Sequence, residues 1–432
     1  MLHDPSHVPQ IPSEEPIMLS DAEKKVLREL ARQIAEIGND SVNDERIKLW
    51  TAVNDLKSVR PVVWINEIPW HEMDVDGELT LRCEGAWARQ LETELRRTIY
   101  QWRHMACDMV VKPYIECPKV YHSTDFGIVE KVDVAKTDER SEIYSRRFIP
   151  QIKEPEDIEK IKLPKITYME KASTNALMAM EELFYGIIPV KQVGQSHIWY
   201  TPWDYLIRWW GVEQAMIDLY ERPEMVHEAY ERMVDAWMTE LDQFDEMGLL
   251  ELDCDNTRVG SGGYGYISSL PGEKYDGVTV HPKNMWGCSN AQIFSSVSPD
   301  MHWQFALEHD LRWLRRFGVT YYGCCEPLDG KMDILDRVPN LRKISCSAWC
   351  NVAKMAERSR GKYVMSIKPS PAVFAEDTFN EDEARRAIRD RLEASRGCDV
   401  EIIMKDVSTV RGRPQNLWRW ADIAMEAALR QR

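Results

Sequence analysis

Short runs of apolar and β-branched residues alternate along the chain with long stretches whose apolar positions recur every three or four residues. The first clear run is PVVWIN (61–66). DMVVKPYI (108–115) follows the helical stretch WARQLETELRRTIYQW, and IIPVKQVG (187–194) follows TNALMAMEELFYG. LLELDC (249–254) comes after two predicted helices, TPWDYLIRWWG and PEMVHEAYERMVDAWMTELDQFDEMG. GVTYYG (318–323) stands behind SPDMHWQFALEHDLRWLRRFG, with Ser298 as N-cap, Pro299 in the first turn and Gly318 just past the end. LRKISCS (341–347), KYVMSIK (362–368) and VEIIMKD (400–406) complete a set of eight, the last two separated by the helical NEDEARRAIRDRLEAS.

Connections of this length suit right-handed crossovers between parallel strands. Eight such units predict an α/β fold, a (β/α)8 TIM barrel over residues 61–432, with an open doubly wound sheet as the other arrangement the alternation allows. Residues 1–60 hold two amphipathic stretches, SDAEKKVLRELARQIAEIGNDS and NDERIKLWTAVNDLK. They read as an N-terminal helical extension that closes the barrel bottom or forms a dimer contact. The glycine-rich GSGGYGY (260–266) lies in the loop after the fourth run and does not join a strand to a helix, so it is a weak phosphate signal.

Composition narrows the classes. Of 432 residues, 44% are hydrophobic and 16 are Trp, which is ample for a large core. A net charge of −16 and the lack of any Lys/Arg-rich run argue against a nucleic-acid surface. The opening MLHDPSHVPQIPSEEP lacks the basic-then-apolar order of a signal peptide. No apolar run reaches the roughly 18 residues of a membrane span. Ten scattered cysteines read as reduced thiols, and the expectation is a cytoplasmic protein with no membrane partner.

In a barrel the carboxyl ends of the strands carry the chemistry. Every predicted strand ends in polar groups: Asn66-Glu67, Glu116-Cys117, His197, Asp253 to Asn256, Cys324-Cys325-Glu326, Ser345 to Ser347 with Trp349, Lys368, and Lys405-Asp406. Converging charges cost desolvation energy unless used or paired, so the ring as a whole points to an enzyme. Single members have plainer readings. Lys405 and Asp406 could pair with other strand-end charges, and Lys368 could anchor a substrate carboxylate or partner Asp253 or Asp255. Cys346 reads as a small buried hydrophobe, Cys350 four residues on lacks further zinc partners nearby, and His281 is a lone loop histidine.

The stretches WGCSNAQIFSSVSPDMHWQFALEHDLRWLRRFGVTYYGCCEPL, ISCSAWCN, SIKPSPA and EIIMKDVSTVRGRP resemble the uroporphyrinogen decarboxylase superfamily, and within it the corrinoid-linked methyltransferases. The resemblance covers roughly residues 185 to 425 and implies a (β/α)8 barrel and a homodimer. It also implies zinc bound through His-x-Cys after a barrel strand plus a distant cysteine. Here Tyr322 holds the histidine position and the last strand, IIMKDVSTV, has no cysteine, so the implied ligands become Cys324, Cys325 and Glu326. The strand-one loop, WINEIPWHEMD, has no arginine to grip a tetrapyrrole.

The leading expectation is therefore a methyltransferase that demethylates a small methylated substrate and passes the methyl group to a separate corrinoid (cobalamin) protein. Cys324, Glu326 and Asp406 are the catalytic candidates. His197, Asp253, Asp255, Trp349, Lys368 and Lys405 are the substrate-binding candidates. A metal-free decarboxylase or lyase and a catalytically retired binding protein are the alternatives.

Overall fold

A computed structural model describes residues 14–74, 76–135 and 145–431, so most of the opening stretch read for targeting lies outside the described residues. No described helix is long and apolar enough to cross a membrane. Two helices precede the first strand. In α1 (Asp21–Gly38) the Ser20 side chain accepts the Glu23 N–H while the Glu23 carboxylate accepts the Ser20 N–H, a reciprocal cap. Glu23 also accepts the Gly85 N–H at 2.8 Å, tying α1 to the start of the helix Ala86–Met105. In α2 (Val42–Asn54) Trp50 is fully buried.

The strands run β1 (Val62–Ile65), β2 (Ile115–Pro118), β3 (Tyr121–Ser123), β4 (Val132–Ala135), β5 (Ser145–Phe148), β6 (Ile166–Tyr168), β7 (Val190–Val193), β8 (Trp286–Ser289), β9 (Val319–Tyr322), β10 (Leu341–Cys346), β11 (Val364–Ile367) and β12 (Val400–Met404). A six-stranded parallel sheet has the order β1-β12-β11-β10-β9-β8, and β2 pairs with β7 in a second parallel ladder. A parallel bridge from Gln195 to Leu250 extends that pair. The antiparallel pairs β3–β6 and β4–β5 stand outside the predicted series.

The parallel α/β character matches expectation, but the strands are not the predicted set. Residues 249–254 make one bridge, whereas WGCS, which was not among the predicted strands, forms all of β8. No closed ladder of eight strands is found among the described residues. The gap between β1 and β2 has a physical reason in Asp108 to Val111. Its backbone is satisfied largely by side chains: the Trp50 indole donates to Asp108 O, Asn256 donates to Val110 O, and the Val111 N–H donates to Asn43. Only the Asp108 N–H reaches strand backbone, at Val63 O, 2.9 Å away.

Both faces of the large sheet are buried. Val63, Ile65, Ile344, Cys346, Met365, Ile367, Ile402 and Met404 pack into the main core with the helices. The alternate residues, Val62, Val364 and Ile403, meet Trp50 and Tyr264, while Trp286, Cys288 and Tyr321 meet Val259 and Ile267. The loop after Leu250 thus folds back over the inner face. Its glycines permit the approach: a Cβ on Gly260 (φ +55°) would stand 2.3 Å from the Tyr321 ring, and one on Gly263 2.4 Å from Trp50. GSGGYGY is therefore a packing plug rather than a phosphate cradle.

Candidate active site

Beyond the carboxyl ends of β1 and β12, four side chains converge. Glu67 receives Arg258 Nη1 at 2.7 Å and Lys405 Nζ at 3.5 Å, and Lys405 also donates to Asp406 at 2.5 Å. The Asp406 N–H donates to Glu67 Oε2 at 3.1 Å. Glu67 and Asp406 both take positive φ, 51° and 57°, which turns each chain end across the strand mouth. Burial opposes ionisation of Glu67, yet Arg258 and Lys405 hold it well below the carboxylate range. Burial and the neighbouring Glu67 push Asp406 up. The two adjacent carboxylates are thus driven in opposite directions, Glu67 down and Asp406 up. Asp406 is also the accessible one, its side chain 52% exposed against 6% for Glu67.

Asn66 completes this corner. Alternation from Val62 and Trp64 puts it on the inner face, and its N–H bonds Met404 O at 2.9 Å. It is 9% exposed, and neither atom of its carboxamide has a hydrogen-bond partner. The Nε of Arg258 is likewise buried and unpartnered. Unpartnered buried polar groups of this kind are open to a ligand or a water.

Cys324 and Cys325 follow β9, with their sulfurs 3.6 Å apart. The Cys324 thiol, and after it the Lys405 ammonium, hold Cys325 below the usual thiol value. Lys368 lies beneath them. Its ammonium donates to Tyr321 Oη at 2.6 Å and to Ser345 Oγ and Ser366 Oγ, both at 2.9 Å. Ser345 in turn donates to Cys324 O at 2.6 Å, and Ser261, bonded to Tyr321 Oη, donates to Gly323 O at 3.2 Å. Two hydroxyl relays therefore run from Lys368 to the carbonyls of the turn that presents the thiols. Burial lowers Lys368 to about 8.

The other expected site residues are engaged within the fold or lie away from this corner. Glu326 is fully buried; its oxygens accept the Cys324 N–H at 2.9 Å and the Ala291 N–H at 3.2 Å, and burial raises it to about 7. Asp253 is sealed in, receiving the Trp286 N–H at 2.9 Å, and burial raises it to about 6. His197 Nε2 accepts the Gly260 N–H at 2.9 Å, so Nδ1 carries the ring proton and faces Asp253 at 3.3 Å. Asp255 pairs with Lys112 at 2.6 Å, ahead of β2 rather than beyond it. Trp349 is 79% exposed. His281 bonds Asp245 at 2.6 Å, away from the mouth.

Zinc does not fit this donor set. Glu326 spends both oxygens on backbone N–H groups, and no three His, Cys, Asp or Glu side chains converge as a metal cage among the described residues. Asn66 and Arg258 were not singled out as site residues. The strand-end position of Asn66 was a usable signal, but Arg258 reaches Glu67 across 191 residues and left none.

No protein-family model matches the chain, and no curated protein matches it. Among solved structures, a methyltransferase from Methanosarcina mazei matches with a TM-score of 0.51 at 12% identity, over 89% of this chain and 98% of that one. The likeness is one of fold.

Proposed function

We propose that the chain is a methyltransferase that demethylates a small methylated substrate and passes the methyl group to a separate corrinoid protein. In this reading the two parallel ladders are arcs of one (β/α)8 wall, joined at Leu250 and at Asp108 to Val111, with the Glu67–Asp406 corner at its open end. The observation that carries the proposal is Asp406, an accessible carboxyl pushed upward beside an ionised partner. When a methyl group leaves a heteroatom, the carbon–heteroatom bond breaks and its electron pair stays on the heteroatom. A proton placed there lowers the barrier, and Asp406 is the group able to give it. Lys405 positions Asp406, while the open carboxamide of Asn66 and the Nε of Arg258 hold the polar part of the substrate. The corrinoid, carried by the partner, would supply the methyl acceptor. The fold shared with a methyltransferase supports this reading without deciding it.

Mixing the protein with a corrinoid protein and a methylated donor, and following the corrinoid absorbance, tests the proposal. Activity should be full at low pH and fall as pH rises through the raised value of Asp406, because the acid must be protonated. Asp406→Asn should cut the rate by about 10²–10⁴-fold and abolish that fall. Asparagine tolerates the positive φ at this position, so folding should survive. Absence of any spectral change with every methylated donor would refute the proposal, and partner-free release of carbon dioxide would favour a lyase.

A further inference from the structure

The two thiols after β9 have no part in the acid chemistry above, and their geometry is specific. Adjacent residues of an extended strand point to opposite faces, so neighbouring cysteines are ordinarily held apart. Here Gly323 takes φ +97°, the turn follows at once, and the Cys324 and Cys325 sulfurs stand 3.6 Å from each other. The turn is held from both sides. Glu326 accepts the Cys324 N–H at 2.9 Å, and Ser345, itself held by Lys368, donates to Cys324 O at 2.6 Å. Such fixing lowers the ordering cost of any ligand that bridges the pair. Cys325 is partly open while Cys324 is buried, so a ligand would reach Cys325 first.

We propose that Cys324 and Cys325 form a two-thiol chelate site for a trivalent organoarsenical. A soft centre suits thiol donors. Zinc asks for four ligands and finds two, whereas an arsenic atom that keeps one organic substituent has two positions to exchange. The condensation balances without an oxidant. Two arsenic–sulfur bonds form, two arsenic–oxygen bonds break, and each thiol proton leaves with a displaced hydroxide as water. Arsenic remains trivalent and both sulfurs remain at the thiol level.

Phenylarsine oxide, the anhydride of such a compound, is the probe, applied to the full chain and read by intact mass. The native protein should gain one phenylarsenic group in place of two protons. A chelating dithiol should release it and a monothiol should not. Cys325→Ser and Cys324→Ser should each abolish the adduct, whereas Cys350→Ser, at the C-x3-C pair formed with Cys346, should keep it. Circular dichroism of each variant separates a lost site from a lost fold, and the partly open Cys325→Ser decides the matter if Cys324→Ser does not fold. No adduct on native protein, an adduct that survives Cys325→Ser, or one lost in Cys350→Ser overturns the proposal.

Discussion

Strand β12 and the residue that follows it carry two charged assemblies on one face, four residues apart, at Glu401 and Lys405, and they differ in completeness. At Glu401 the carboxylate meets Lys343 Nζ at 2.7 Å and the Gly263 N–H at 2.9 Å, with both side chains at zero exposure. At Lys405 the ammonium meets Glu67 and Asp406, but Asn66 and the Arg258 Nε beside them are buried with nothing to bond, and Asp406 opens outward. The same chemistry thus serves two ends. The Glu401 pair recovers its desolvation cost from protein partners, whereas the Lys405 cluster is ringed by polar groups whose burial costs stability.

The contrast can be broken from either side. The largest effect should come from Glu401→Ala, which strands Lys343 in the core and should cost about 3–5 kcal/mol in chemical denaturation. Ser345→Ala removes one relay from Lys368 and should cost about 1–3 kcal/mol, with a changed rate of Cys325 alkylation. No change in that rate would mean that Lys368 does not set the thiol turn. The smallest effect concerns Glu326. Burial raises its carboxyl from the ordinary glutamate value of 4.5 to about 7, so protonation favours the folded state. That contribution is full below 4.5 and lost as pH rises through about 7. Glu326→Gln turns an amide donor toward a backbone N–H, and should cost about 1–2 kcal/mol at low pH. The difference from native protein should shrink across that window, and a gap independent of pH would contradict the burial of this acid.

Most of the sheet was legible in the sequence because its strands are rich in apolar and β-branched residues. LRKISCS, KYVMSIK and VEIIMKD became β10, β11 and β12 close to their predicted limits. β8 was not legible, since Trp-Gly-Cys-Ser has no β-branched residue and its burial comes from Phe317 and Trp313 packing on it. LLELDC misled for the opposite reason: it is apolar, yet only Leu250 pairs. Lys405 and Asp406 were visible as strand-end charges. Asp255 was placed at the mouth by the same reasoning, and the loop instead carries it to Lys112. Side-chain contacts such as Arg258 with Glu67 depend on how a loop folds back, which no local pattern encodes.

In the proposed reading, the polar groups at the mouth are open because a ligand uses them. Asn66→Leu tests this most directly, because leucine fills a similar volume and removes both unpartnered atoms. Denaturation and methyl-transfer assays on the same preparation should show stability raised by about 1 kcal/mol and kcat/KM reduced by about tenfold or more. A variant that loses stability while turning over normally would contradict the account.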